Sequence, residues 1–210
     1  MATASAPRFR GLIFDFFGVL TFNMVEVISA FEGREKIRPG TFLRAWADPR
    51  GQDLFRRLEL GEIAQTDWNT GFAALIGVGP DDLMARYLYD AFPAHLVLGV
   101  ARQARAAGIR TAVLSNSLGR HPYDPYAGFD LRGTFDEVVL SAEHGVRKPD
   151  PVIFQLVLDR LGVAAGECLF VDDSEVNLAA AQRLGISTLH ALDERVVAVQ
   201  LRAALGLPDL

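Results

Sequence analysis

Leu12-Ile13-Phe14-Asp15-Phe16-Phe17-Gly18-Val19-Leu20 sets one carboxylate in an otherwise apolar run. A run so rich in Ile, Phe and Val, broken by a glycine, predicts a buried strand of a parallel sheet with Asp15 at its C-terminal end. Open α/β sheets bind ligands outside the carboxyl ends of their strands, so a charge at this place is better explained by chemistry than by packing. An isolated buried carboxylate is costly, and Asp15 has to find a cation, hydrogen-bond donors or a proton.

Downstream of Gly18, residues 22–92 contain no convincing strand and read as helical. The stretch 44–60 has apolar positions at Ala45, Trp46, Leu54, Phe55 and Leu58, broken at Pro49 and Gly51, which predicts two short helices. Thr66 or Asp67 is placed to cap a helix through Trp68, Phe72, Leu75 and Ile76, ending at Gly77, and Asp81 or Asp82 to cap one over 83–90. From Pro93 strands alternate with helices. Helices are predicted over 95–107, from Asp150-Pro151 to Leu161, over 175–184 and after Asp193. The strands fall at 111–114, 138–140, 168–171 and 187–189. This order predicts an α/β fold, a doubly wound parallel sheet carrying Asp15, Ser115 and Asp172 at one edge, with about 70 residues inserted as a small helical domain.

The 210 residues are 50% hydrophobic and 22% charged, enough for one good core and a smaller unit. A net charge of −5 without a Lys/Arg run argues against nucleic acid as a partner. Cys168 is the only cysteine and lies in an apolar strand, which excludes an internal disulfide or thiolate zinc site and suits a reducing cytoplasm. Residues 1–8 read as neither signal peptide nor membrane span, and no apolar stretch is long enough to cross a membrane. A monomer or a homodimer is compatible with the sequence.

Asp15, Asp172 and Asp173 form an oxygen-rich set suited to Mg²⁺, which retains waters and accepts substrate phosphate as a further ligand. Lys148 supplies positive charge and Ser115 a donor. In such a set Asp15 can be ionised and aimed as a nucleophile, with Lys148 offsetting charge on it and on a phosphoryl group.

With these residues in order, the sequence resembles the haloacid dehalogenase-like (HAD) hydrolase superfamily, particularly its phosphatases of small phosphorylated metabolites. Asp15 falls at that family's nucleophile, Ser115-Asn116 at its second motif, Lys148 at its third and Asp172-Asp173 at its acidic fourth. The resemblance implies a Rossmann-like core over residues 1–21 and 93–210, and a helical cap domain over 22–92. It implies Asp15, Ser115 and Lys148 as catalytic residues, and Ser115, Asn116 and Lys148 as substrate-binding. It also implies Mg²⁺ held by Asp15, Asp172, Asp173 and the backbone carbonyl of Phe17. One position departs from the pattern. Where most of the family's phosphatases carry a general-acid Asp two residues after the nucleophile, this chain has Phe17, and acid–base help of that kind is typically worth about 10² to 10⁴ in rate.

Other readings stand beside these. Ser115 is also a turn former, Lys148 a solvated loop lysine, and Asn116 a brace for its loop. A lesser alternative makes Asp172 a cap for the helix after it, with Asp173 the principal ligand. Asn177 reads as support for the site. His95, His121, His144 and His190 lack metal-ligand spacing and read as structural or exposed. The aromatic loop 121–129 suits either the entrance of the site or a partner subunit. Substrate contacts in the insertion include Arg34, Lys36, Arg38 and Arg44 as candidates. Three functions follow: a Mg²⁺-dependent phosphatase acting through an aspartyl phosphate on Asp15; a carbon–halogen hydrolase, in which an aromatic stands at Phe17's place; and a regulatory protein that binds without turnover. Two added carboxylates would repel a haloacid's own carboxylate, which favours the first.

Overall fold

A computed structural model describes residues 9–207; residues 1–8, on which the expectation about targeting falls, lie outside them. Five strands form one parallel sheet: β1 (Gly11–Phe14), β2 (Arg110–Ser115), β3 (Glu137–Leu140), β4 (Cys168–Asp172) and β5 (Ser187–His190), in the order β3-β2-β1-β4-β5. The sheet is doubly wound, as the alternation predicts. The central strand β1 is buried throughout, which is why it reads as an unbroken apolar run. Phe14 lies level with Val113 on one side and Val171 on the other, so Asp15 emerges between the ends of β2 and β4. That is the point where strand order reverses, and there an open sheet leaves a crevice.

One face of the sheet packs against α6 (His95–Ala106) and α10 (Glu194–Leu205) through Val97, Val100, Ala101 and Leu201. The other packs against α8 (Pro151–Leu161) and α9 (Glu175–Arg183) through Ile153, Phe154, Val157 and Leu178. Asp150 caps α8 through Val152 N–H with Pro151 in its first turn, and Asp193 caps α10 through Val196 N–H. A four-residue helix α7 (Leu131–Thr134) precedes β3.

Between Thr21 and Pro93, which bridge side by side in antiparallel fashion, the chain forms five helices: α1 (Met24–Glu35), α2 (Thr41–Ala47), α3 (Pro49–Glu59), α4 (Gln65–Ile76) and α5 (Leu83–Tyr87). They share a core of their own around Phe31, Phe42, Trp68, Phe72 and Tyr87, with Trp68 stacked on Phe72 at 4.8 Å. The break into α2 and α3 falls at Asp48, whose carboxylate caps α3 through Arg50 N–H. Three local expectations change. α4 starts earlier than predicted, at Gln65, and Asp67 reaches back to accept from Ala64 N–H instead of capping forward. Asp82 precedes α5 with φ 50° and without a side-chain capping bond, and the helix ends at Tyr87, not 90. Trp46 is not in the core: it is 52% exposed, while Phe42 and Ala45 form the buried side of α2. Among the described residues no helix is long and apolar enough to cross a membrane.

Candidate active site

Asp15 is 8% exposed, and its Oδ1 accepts from Phe16 N–H at 2.7 Å and pairs with Lys148 Nζ at 2.7 Å. Its Oδ2 accepts no hydrogen bond among the described residues, and Asp15 lines a cavity of about 590 Å³. One oxygen is therefore held while the other faces the cleft. Burial lifts the Asp15 carboxyl to about 8; Lys148 opposes this, while Asp172 and Asp173 add to it. Lys148 is 1% exposed and held protonated, because Asp15 and Asp172 together outweigh the cost of its burial. It is not a solvated loop lysine.

Asn116 fixes the backbone that carries this lysine. Its Oδ1 accepts from Lys148 N–H at 2.9 Å and its Nδ2 donates to the Lys148 carbonyl at 3.1 Å. Asn116 thus braces the loop while also lining the cleft. Ser115, at the end of β2, is fully buried, with Oγ 3.1 Å from the Tyr126 hydroxyl. It does not line the cavity. Tyr126, whose phenol burial pushes up to about 12, packs on Phe16 at 4.6 Å between ring centroids. Phe129 joins the same cluster, so the aromatic end of the 121–129 loop turns onto the chain's own core.

The two acidic residues after β4 have different surroundings. Asp172 is fully buried, and four hydrogen bonds occupy its oxygens. Ser174 N–H (2.8 Å) and Asn177 Nδ2 (3.1 Å) meet Oδ1; Lys148 Nζ (2.8 Å) and Asn177 Nδ2 (3.2 Å) meet Oδ2. A carboxylate offers about four such positions, so Asp172 reaches a metal only if one of them yields. Asp173 is exposed to the cleft, its carboxylate against Gly18, where a Cβ would lie 2.5 Å from Oδ2. Gly18 has φ +79°, a conformation that glycine adopts without strain. Loss of water in the cleft and the charge of Asp172 lift the Asp173 carboxyl to about 6. His190, half-buried at the end of β5, has Nε2 3.0 Å from the Asp173 carbonyl.

These residues fit a hard divalent cation. Asp15, Asp172 and Asp173 each offer an oxygen within 4.8 Å of the others, and the Phe17 carbonyl accepts no hydrogen bond among the described residues. Carboxylate oxygens gathered this closely, two of them on carboxyls lifted by burial and mutual repulsion, are the donor set of an oxygen-liganded cation, whose charge would lower both carboxyls again. The Phe17 ring is half-buried, packs edge-on against Phe16 at 4.9 Å and walls the cleft.

Several neighbours were not legible as site residues. Arg147 pairs with Glu59 of α3 at 2.7 Å beside Lys148, and burial lifts the Glu59 carboxyl to about 7 against the pull of Arg147. Arg34, Lys36, Arg38 and Arg44 do not line the cleft; Arg34 pairs with Asp90, and Arg44 bonds to Pro39 and Thr41.

Comparison with known proteins gives a consistent pattern. Residues 9–185 match the family model of haloacid dehalogenase-like hydrolases. The chain is 31% identical to mouse acyl-CoA dehydrogenase family member 10 over 95% of its own length, but spans only 19% of that protein. It is 26% identical to the sesquiterpene phosphatase AstK of Aspergillus oryzae, covering 94% of this chain and 97% of that one. It is also 23% identical to (S)-2-haloacid dehalogenase of Pseudomonas putida over 84% of the chain and 81% of the relative. A HAD family enzyme of Bacteroides thetaiotaomicron, solved with magnesium and inorganic phosphate, superposes with a TM-score of 0.64 at 26% identity, covering 88% of this chain and 96% of that one.

Proposed function

The chain belongs to the haloacid dehalogenase-like hydrolases, and we propose that within this family it is a Mg²⁺-dependent phosphatase of small phosphorylated metabolites that works through an aspartyl phosphate on Asp15. The observation that carries the reading is the split environment of Asp15: Oδ1 held by Lys148 and Phe16 N–H, Oδ2 left without a hydrogen bond among the described residues in a cleft that Asp173 and Phe17 also line. Asp15 Oδ2 attacks phosphorus, an Asp15 O–P bond forms, the ester O–P bond breaks, and the leaving oxygen takes a proton from solvent. Water then attacks the phosphoryl group, giving its proton to solvent; the Asp15 O–P bond breaks and the carboxylate is returned with release of inorganic phosphate. Lys148 offsets negative charge in both steps, at a site dry enough for a fixed charge to act strongly. Asp172 and Asn116 act through Lys148, one on its ammonium and the other on its backbone. Asp15, Asp173 and the Phe17 carbonyl would hold the Mg²⁺, which when bound supplies positive charge to the phosphoryl oxygens. Residues 22–92 would act as the cap over the cleft.

Haloacid hydrolysis is the second reading, supported by the dehalogenase relative and by the aromatic ring of Phe17 in the cleft. Against it, the lining cations Arg147 and Lys148 are both paired with carboxylates, so the described lining residues offer no unpaired cation to a haloacid's carboxylate. The test is a panel of phosphate esters and 2-haloacids with and without Mg²⁺. Mg²⁺-dependent phosphate release is expected. Metal-independent halide release would replace this reading with the second, and melting shifts without turnover would favour a binding protein.

A further inference from the structure

Beyond the carboxylates, the cavity runs on between α1, α2 and α9, and its wall changes character. Val25 and Ile28 come from α1, Leu43 and Trp46 from α2, and Val176 from the first turn of α9. Four of these are open to solvent: Val25 is 62% exposed, Leu43 40%, Trp46 52% and Val176 64%. Exposed apolar side chains scattered singly need no explanation, but these gather around one cleft, as side chains do where a ligand covers them. Trp68, by contrast, is completely buried in the helical core, so the chain does not lack a place to put tryptophan.

The charges of the cavity set the other half of the argument. Its lining cations are Arg147, paired with Glu59, and Lys148, paired with Asp15 and Asp172. Arg34, Lys36, Arg38 and Arg44 are not among the residues that line it. A substrate with a second anionic group would meet Asp15, Asp173 and Glu59 without a free lining cation among the described residues to receive it. A volume of about 590 Å³ lies within the range of about 300–1,000 Å³ that holds a drug-sized molecule, far more than a phosphoryl group needs.

We infer that the substrate is the phosphate monoester of an uncharged, apolar alcohol, its tail lying along α1 and α2 over Trp46. The inference rests on the phosphatase reading for the phosphoryl end and on the apolar wall for the tail. Chemistry takes place at phosphorus, so tail contacts act on binding. Each methylene buried is worth up to about fourfold in affinity.

The test uses the full chain with Mg²⁺ and the series butyl, hexyl, octyl and decyl phosphate, each below its micelle concentration. KM should fall by several-fold at each step while kcat stays nearly level. Trp46 emission should move to the blue with decyl phosphate and not with inorganic phosphate, and Trp46→Phe should remove that shift. Val25→Glu, at an exposed helix position, should flatten the dependence of KM on chain length while the protein melts as wild type. A KM independent of chain length, with acetyl phosphate still hydrolysed, would overturn the inference and leave the phosphatase reading intact. Chain-length-dependent emission shifts with no phosphate released from any ester would end the phosphatase reading, and with it the claim that the ester is a substrate, leaving only an apolar binding site. An absence of both would end the two together.

Discussion

Replacing Asp172 and Asp173 separately by Asn distinguishes the support of a charge from the holding of a metal. In Asp172→Asn the amide can keep its bonds to Ser174 and Asn177, but it either turns an N–H₂ group toward Lys148 Nζ or offers it only a neutral acceptor. A hydrogen bond to a charged group contributes about 1.5–3 kcal/mol, and removing one partner of a buried ion pair costs about 3–5 kcal/mol. Lys148 retains Asp15 at 2.7 Å, so a loss of about 2–4 kcal/mol is expected, less than full abandonment of the pair. At this chain size that lowers Tm by on the order of 10 °C. Mg²⁺ affinity should fall by about 10- to 100-fold, the usual effect of a residue that supports ligands without being one. Asp173→Asn should do the opposite. Its carboxylate is exposed and repelled by Asp172, so metal-free stability should hold or rise while Mg²⁺ affinity falls by more than about 100-fold. Urea unfolding without metal and Mg²⁺ titration calorimetry read the two quantities. If Asp172→Asn left stability unchanged and abolished Mg²⁺ binding, or Asp173→Asn bound Mg²⁺ like wild type, the assignment of the two residues would be wrong.

Phe17 carries no proton for the leaving oxygen or the attacking water, so acetyl and aryl phosphates should outrun simple alkyl phosphates of equal affinity, with an initial burst; Phe17→Asp should shrink the burst, and a flat leaving-group dependence without one would point to another acid. Gly18→Ala puts a Cβ 2.5 Å from Asp173 Oδ2 at a φ of +79°, and should cost about 1–2 kcal/mol in unfolding and most of the Mg²⁺ affinity; wild-type metal binding would refute the close approach. Glu59 is lifted to about 7 from an ordinary 4.5, so the folded state holds its proton longer and stability falls as pH rises from about 5 to 8, by up to about 3 kcal/mol. Asp15 and Asp173 add slope of the same sign, so Glu59→Gln should make the fall shallower without abolishing it, and parallel stability–pH curves for the two proteins across this window would contradict the Glu59 contribution.

The strand ends were legible because each is an apolar run stopped by a polar residue, and a buried parallel sheet writes itself in that way: Asp15, Ser115 and Asp172 all sit where the runs end. Helix starts were legible where the capping side chain acts forward, as at Asp150 and Asp193, and were misplaced where Asp67 acts backward on Ala64. The helix Met24–Glu35 escaped notice as a separate element because buried Glu32, which accepts from Gly40 and Phe42 N–H, and exposed Val25 blur its apolar stripe. Within the site, sequence grouped Asp172 with Asp173 because they are adjacent. Only the fold brings Lys148 and Asn177 to saturate one and Gly18 to back the other. Tyr126 on Ser115 and Glu59 on Arg147 join residues far apart along the chain without any local pattern to announce them.

In the proposed reaction Asp15 takes the phosphoryl group. Mixing the protein with Mg²⁺ and acetyl phosphate, quenching in acid and mapping the peptide from residues 11–20 by mass tests it directly. Wild type should carry one phosphoryl group on Asp15, cleared as substrate runs out, with neither label nor turnover in Asp15→Asn despite an unchanged fold. Continued phosphate release by purified Asp15→Asn, or a label on any other residue, would contradict it.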